Sequence, residues 1–417
     1  MRGGCSFRET AHTIKQTVQH WACGNGAVPV KKSRGLALPP GRFRGESPSR
    51  SGTKPEMCFR KGTMGHFCLL SDPGSYVPLD WDLASDPTGL GEWLDVFEKV
   101  FAEILQHAKA SYGRKAEKSI AAAAEQFRRQ IESIRSDPAS FGDGQLNVIA
   151  LDRMRDRILR DNHIGDPFGP VKERENALAL EMYPEMVREL HAMDGVDRWQ
   201  HLVQCVFAGN VFDMGATSTL HTGRDGSDFL TAVEESKPRP WLVDDFDALA
   251  EKLVAAPPAP WAKAVVFVDN AGTDFILGVL PLVRELALCG TQIVLAANEK
   301  PSLNDITAFE ITQLGRRLAA ADDDLGALAQ AGMLEVVSTG TDLPMIDLSD
   351  VSDELNDAAA DADLVILEGM GRAVETNFDA KFKVDALRLA LLKNEAVARR
   401  LGGKLFDCVC KFTSAGS

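Results

Sequence analysis

Six oxygen-bearing side chains stand just past two short apolar runs. Asp269, Asn270 and Asp274 follow Val265–Val268, and Asn298, Asn304 and Asp305 follow Ile293–Ala297. Apolar runs of this length predict strands buried on both faces, and in an open parallel sheet ligands bind beyond the carboxyl ends of the strands. A third run, Leu364–Leu367, leads into Glu368-Gly369-Met370-Gly371-Arg372. There two glycines let the backbone approach an anion at a helix N-terminus, and Arg372 adds a guanidinium fork. Val374 breaks the third glycine of a dinucleotide fingerprint, so a nucleotide loop is a poorer reading. Any one Asp or Asn here could be a turn or N-cap residue, whereas the set, at neighbouring strand ends, predicts a site.

The donor types narrow the chemistry. All eight histidines lie at or before His221, so the half with the polar strand ends has no imidazole for a catalytic triad or a histidine-bound zinc. Carboxylate and amide oxygens favour a hard divalent ion, Mg2+ or Mn2+, on Asp269, Asn270 and Asp305. So acidic a pocket repels a phosphoryl group unless such an ion lies between them, which makes metal, arginine and phosphate one hypothesis. Asp269 and Asp274 are the candidate catalytic carboxylates, Asp274 to position or deprotonate water, and Arg372 is the candidate for stabilising charge on the phosphoryl oxygens. A covalent phosphate on Asp269 lacks the Asp-x-Asp spacing expected for it. Further substrate-contacting candidates are Asn298, Glu368, Gly369, Met370, Gly371 and Lys393, the last near the end of a long helix read from Phe382 to Gly402. Asn210 and Asp213, three apart between Gly209 and Gly215, join them.

These residues need a sheet to hold them. Strand and helix patterns alternate from Val265 to Phe412, which predicts a doubly wound, mostly parallel, Rossmann-like sheet over residues 259–417. Residues 67–258 read as an α-helical domain, with amphipathic patterns near 93–105, 115–134, 148–159, 173–193 and 198–210, and the run Ala255–Pro260 as its boundary. Residues 1–66 hold 12 Lys+Arg against 3 Asp+Glu and no apolar period, which predicts a disordered basic extension. It reads as an organelle-targeting segment or as an inert leader upstream of Met57 or Met64. The net charge of −14 then leaves −23 on the remainder, which argues against nucleic acid or an anionic membrane as partner. No window is apolar enough to span a bilayer, and eight cysteines without a Cys-x-x-Cys pair suggest a reducing, cytoplasmic setting. Oligomeric state is left open.

Three stretches, Val268–Asp274, Ala297–Asp305 and Glu368–Arg372, together resemble the metal-dependent damage-control phosphatases, formerly domain of unknown function 89. Gly209–Asp213 and Arg239–Val243 also resemble that family, and the resemblance runs from about Phe67 to Phe412. It implies a helical region packed on a Rossmann-like sheet, a divalent metal on Asp269, Asn270 and Asp305, and hydrolysis of small phosphomonoesters. Mn2+ and Mg2+ are the expected ions, with Co2+ and Ni2+ as further candidates. The Glu-Gly-Met-Gly-Arg subfamily is associated with 4′-phosphopantetheine and its oxidised or damaged forms, and other relatives with sugar phosphates. The kinase half of the fused relatives has no counterpart here, so pantothenate phosphorylation is not implied. The competing readings are a sugar-phosphate phosphatase, a nucleotide- or S-adenosylmethionine-using transferase and a silent binding protein. The transferase needs a glycine-rich turn after the first strand, which Asp269–Gly272 lacks.

Overall fold

The computed structural model describes residues 64–79, 81–142, 145–211, 229, 233, 238–255 and 260–416. Asp213 and nearly all of the basic extension lie outside them. Residues 60–417 form one compact unit. Helices α1 (Pro87–Tyr112), α2 (Glu117–Ser136), α3 (Val148–Asp161), α4 (Gly169–Ala192) and α5 (Gly195–Val211) come first, as the amphipathic patterns predict. Local chemistry starts several of them. Asp86 and Asn147 accept hydrogen bonds from Gly89 N and Ala150 N, satisfying amides that have no partner inside the helix.

The sheet comprises β2 (Val243–Asp244), β3 (Lys263–Phe267), β4 (Gln292–Ala297), β5 (Leu334–Ser338), β7 (Leu364–Glu368), β8 (Asp385–Leu391) and β9 (Cys408–Thr413), in the order β2-β9-β8-β7-β3-β4-β5. A two-residue β1 (Met64–Gly65) pairs apart from it with β6 (Val351–Ser352). That small pairing is antiparallel, and within the seven-stranded sheet all pairings are parallel except that of β8 with β9. The remaining helices are α6 (Phe246–Ala255), α7 (Leu280–Leu288), α8 (Ala308–Ala321), α9 (Asp323–Gln330), α10 (Asp353–Ala359) and α11 (Glu395–Arg400). The chain runs β3, β4, β5 in one direction and resumes with β7 on the other side of β3. The crevice at this reversal lies beyond the carboxyl ends of β3 and β7.

Alternation along the strands divides the apolar residues between two cores. Val265, Phe267, Val365 and Leu367 pack with α1, α2 and α3 through Trp93, Phe97, Phe127 and Leu151. Ala264, Val266, Val268 and Ile366 pack with α4, α5 and α7 through Tyr183, Val206 and Leu282. Elements from both sides of residue 258 therefore share both cores, and β2, before that residue, belongs to the same sheet.

One expectation is corrected. The long helix read from Phe382 to Gly402 is instead strand β8, the short helix α11 and a connection between them. The run Asp385-Ala-Leu-Arg-Leu-Ala-Leu391 is made of good helix formers, but all seven residues are buried inside the sheet, and tertiary burial outweighs propensity. After β3, Asp274–Val279 is a π-helical turn that runs into α7, and Met370–Glu375 after β7 is another. Such turns are frequent at functional sites.

Candidate active site

The end of β3 delivers Asp269 and Asn270 beside the segment after β4. Asn270 and Asp305 form an isolated antiparallel bridge, Ala271 N donates to Asn304 O at 3.0 Å, and Ile306 N donates to Asp269 O at 3.0 Å. Two residues of α4 hold these loops. Asn176 Oδ1 accepts from Gly272 N at 2.8 Å, and the buried Lys172 donates to Asp305 O at 3.3 Å while pairing with Asp166 and Glu310 at 3.0 and 2.7 Å.

Arg372 joins the three strand ends. Its guanidinium, 2% exposed, pairs with Asp269 Oδ1 and, at 2.7 Å, with Asp305 Oδ2, and donates to Asn298 Oδ1 at 3.2 Å. Burial disfavours its charge, but Asp305 and Asp269 outweigh that and hold the group firmly protonated. The backbone turn that presents it demands glycine. Gly369 has φ +90°, and a Cβ there would run into the Asp269 carboxylate; a Cβ on Gly371 would strike the Pro344 carbonyl.

A second group of oxygens lies behind Asp269. Carboxylate atoms of Asp269, Asp274 and Glu368 all come within 4.8 Å of one another, and all three residues are buried. Asp274 Oδ2 accepts from Asn210 Nδ2 and Asn270 Nδ2, each at 2.8 Å, while Glu368 accepts from Asp269 N at 2.9 Å and Asn210 Nδ2 at 3.0 Å. Burial, with the neighbouring Asp274 and Asp269, pushes the Glu368 carboxyl well above its ordinary range. Asn210 Oδ1 is buried and has no hydrogen-bond partner among the described residues. Four buried carboxylates around one guanidinium, with a buried amide oxygen left over, fit a hard cation: the site is short of positive charge and rich in oxygen donors.

Asp269, Asn270, Asn304, Asp305, Met370, Gly371 and Lys393 line a cavity of about 270 Å³ whose other wall is Trp93, Val96, Phe97 and Val100 of α1 and Val148, Asp152 and Arg155 of α3. Lys393 reaches it because it follows the end of β8, where the sequence pattern had put it on a helix. Asp274, Asn210, Asn298, Glu368, Gly369 and Arg372 are not in that lining. Asp274 has no exposed surface and sits behind Asn270, so its contact is with the Asn270 amide instead of an open water position.

Sequence patterns missed the α3 contribution. Arg155 pairs with Asp152 at 2.5 Å and Asp156 at 2.7 Å and donates to Ser302 Oγ, three residues before Asp305, at 3.2 Å. The sequence pattern does not set them apart, because half of the fourteen residues of α3 are charged, and only the structure buries Asp152 and Arg155 beside Leu151, Met154 and Ile158, where a charge needs a buried partner. Burial raises the Asp152 carboxyl to about 7 despite Arg155, and burial with Asp152 and Asp269 raises Glu375, also in the lining, to about 8.

Comparison with known proteins agrees with this geometry. The model of the damage-control phosphatase ARMT1-like domain matches residues 93–409. A damage-control phosphatase of Arabidopsis thaliana is 44% identical over 298 residues, 70% of this chain and 79% of its own. A 4′-phosphopantetheine phosphatase of Mus musculus is 33% identical over 401 residues, 82% of this chain, which spans 48% of that protein. The crystal structure of a duf89 family protein from Pyrococcus horikoshii shares the fold, with a TM-score of 0.56 at 21% identity over 76% of this chain and 96% of that one. The fold is that of a duf89 protein, and the chain belongs to the ARMT1-like damage-control phosphatase family.

Proposed function

We propose that the protein is a divalent-metal-dependent phosphatase of small phosphomonoesters, with 4′-phosphopantetheine and its oxidised or damaged forms as the leading substrates. The observation that carries this is the convergence of Asp269, Asp305 and Arg372 from three separate strand ends, with Asp269 and Asp305 lining one cavity and the buried Arg372 bridging them. Asp269, Asn270 and Asp305 would hold the ion, Mn2+ or Mg2+ before Co2+ or Ni2+. When bound, it would supply charge neutralisation and polarise a phosphoryl oxygen.

The chain's own groups do the rest. Asp274 accepts from both the backbone and the side-chain amide of Asn270, at 3.3 and 2.8 Å, which turns the Asn270 carbonyl oxygen away from it and toward a cation. Its role in this reading is positioning. Arg372 and Lys393 receive the phosphoryl oxygens, Arg372 exchanging part of its contact with Asp269 and Asp305 for the ester. A water between the cavity-lining carboxylates is aligned with phosphorus, and Asp269 takes its proton as the ester bond breaks. Met370 and Gly371 shape the mouth. Asn210, Asn298 and Glu368 act through these groups, and Asp213 is a further candidate for the substrate side.

Purified protein stripped with chelator should release phosphate from 4′-phosphopantetheine only after divalent ion is restored. A panel adding the sulfonate form and fructose phosphates separates this reading from sugar-phosphate hydrolysis, and equal turnover in chelator contradicts it. No helix among the described residues is long and apolar enough to cross a membrane, and Cys68, Cys205, Cys289, Cys408 and Cys410 form no disulfide. A cytoplasmic location is part of the proposal. Fluorescent fusions with and without residues 1–66 test it, and organelle localisation that depends on those residues counts against it.

A further inference from the structure

The cavity above the carboxylates is small for a whole substrate, since small-molecule sites usually enclose about 300–1,000 Å³ and this one holds about 270 Å³. A second cavity of about 550 Å³ lies against it, and Trp93, Val148 and Glu375 line both. We infer that the two are lobes of one cleft, the inner for the phosphate and the outer for the arm that carries it, so that the site selects phosphomonoesters with an elongated arm. The inference rests on the phosphatase reading above and adds the place where the rest of the substrate goes.

The outer lobe's chemistry fits such an arm. Its walls combine aromatic and aliphatic side chains, among them Tyr76, Trp81 and Phe378, with the hydroxyls of Ser75 and Thr376. Asp72, Glu375 and Asp379 face Lys381 and Arg400, so the lobe carries charges of both signs. The Arg400 guanidinium lies over the Trp81 ring, 4.6 Å from its centroid. The floor is tied to the catalytic turn. The buried Asn377 donates to Arg372 O at 2.9 Å and to Ile346 O at 3.0 Å, accepts from Tyr76 Oη at 2.8 Å, and its carbonyl accepts from Arg388 Nε at 2.6 Å. A lobe fixed in this way loses little entropy on binding a flexible chain.

Val77, 60% exposed, lines the outer lobe away from the carboxylates, so Val77→Trp fills the lobe without disturbing either core. The test compares kcat/KM for 4′-phosphopantetheine and for p-nitrophenyl phosphate, and measures pantetheine, the arm without its phosphate, by calorimetry. The expected result is a fall of about tenfold in the ratio of the two kcat/KM values, carried by KM, with pantetheine weakened to match. Lys381→Trp, elsewhere on the lobe, should do the same. An unchanged ratio, or pantetheine binding that is absent or indifferent to both substitutions, overturns the inference. If neither ester is hydrolysed by the wild type, the phosphatase reading fails, and the pantetheine titration still decides the lobe.

Discussion

Arg372 is the residue on which the charge balance of the site turns. In metal-free protein its guanidinium is the counter-charge bridging Asp269 and Asp305, and removing one partner of a buried pair leaves the other desolvated and alone. Arg372→Ala should therefore destabilise the metal-free protein by about 3–5 kcal/mol in urea unfolding. Arg372→Lys keeps the charge and loses the fork, so it should fold and yet lose about a hundredfold or more in kcat/KM. Glu375 offers a pH signature. Its folded pKa of about 8 lies above its ordinary 4.5, so its contribution to stability is complete below about pH 4.5 and is lost as pH rises through about 8. In chelated protein the stability lost over that window should shrink in Glu375→Gln, and urea midpoints measured across pH check it. Asp269, Asn270, Asp305 and Arg372 were legible in the sequence because polar residues right after apolar runs have little to do unless they meet. Arg155 and Asp152 were not, because a charged pair inside a helix resembles ordinary surface charge until its neighbours are known.

The site is presented by turns and loops whose anchors come from elsewhere. Lys172 on α4 holds the backbone of Asp305 from across the molecule, and ligands held by such outer contacts commonly lose about 10- to 100-fold in metal affinity when the contact is removed. Lys172→Met should show that loss in a Mn2+ titration. Gly369→Ala forces a Cβ against Asp269 at φ +90° and should abolish metal binding and turnover together while the far-ultraviolet circular dichroism stays native. At this scale β3, β4, β5, β7 and β9 were readable from short β-branched or apolar runs bounded by polar turns. β8 was not, since its Leu and Ala residues carry helix propensity and only the sheet around them decides the outcome. That single misreading also displaced Lys393, which the structure brings to the cavity wall.

At the scale of the whole molecule, the helices before residue 258 and the sheet after it are one structure. Both faces of the sheet find their apolar partners in the N-terminal helices, and α1 and α3 close the cavity that the strand ends open. A fragment of residues 259–417 should accordingly show no cooperative urea transition, whereas residues 60–417 should unfold as one unit. Composition suggested a boundary near residue 258, but it could not show that α1 and α3 line the cavity beside the strand ends. The central claim is that strand ends distant in sequence converge on one divalent cation. Anomalous diffraction from crystals grown with Mn2+ tests it most directly. A single strong peak bonded to Asp269 and Asp305 is the predicted result, and it should vanish in Asp269→Ala. A peak held only by surface carboxylates, or none at saturating Mn2+, would contradict the account.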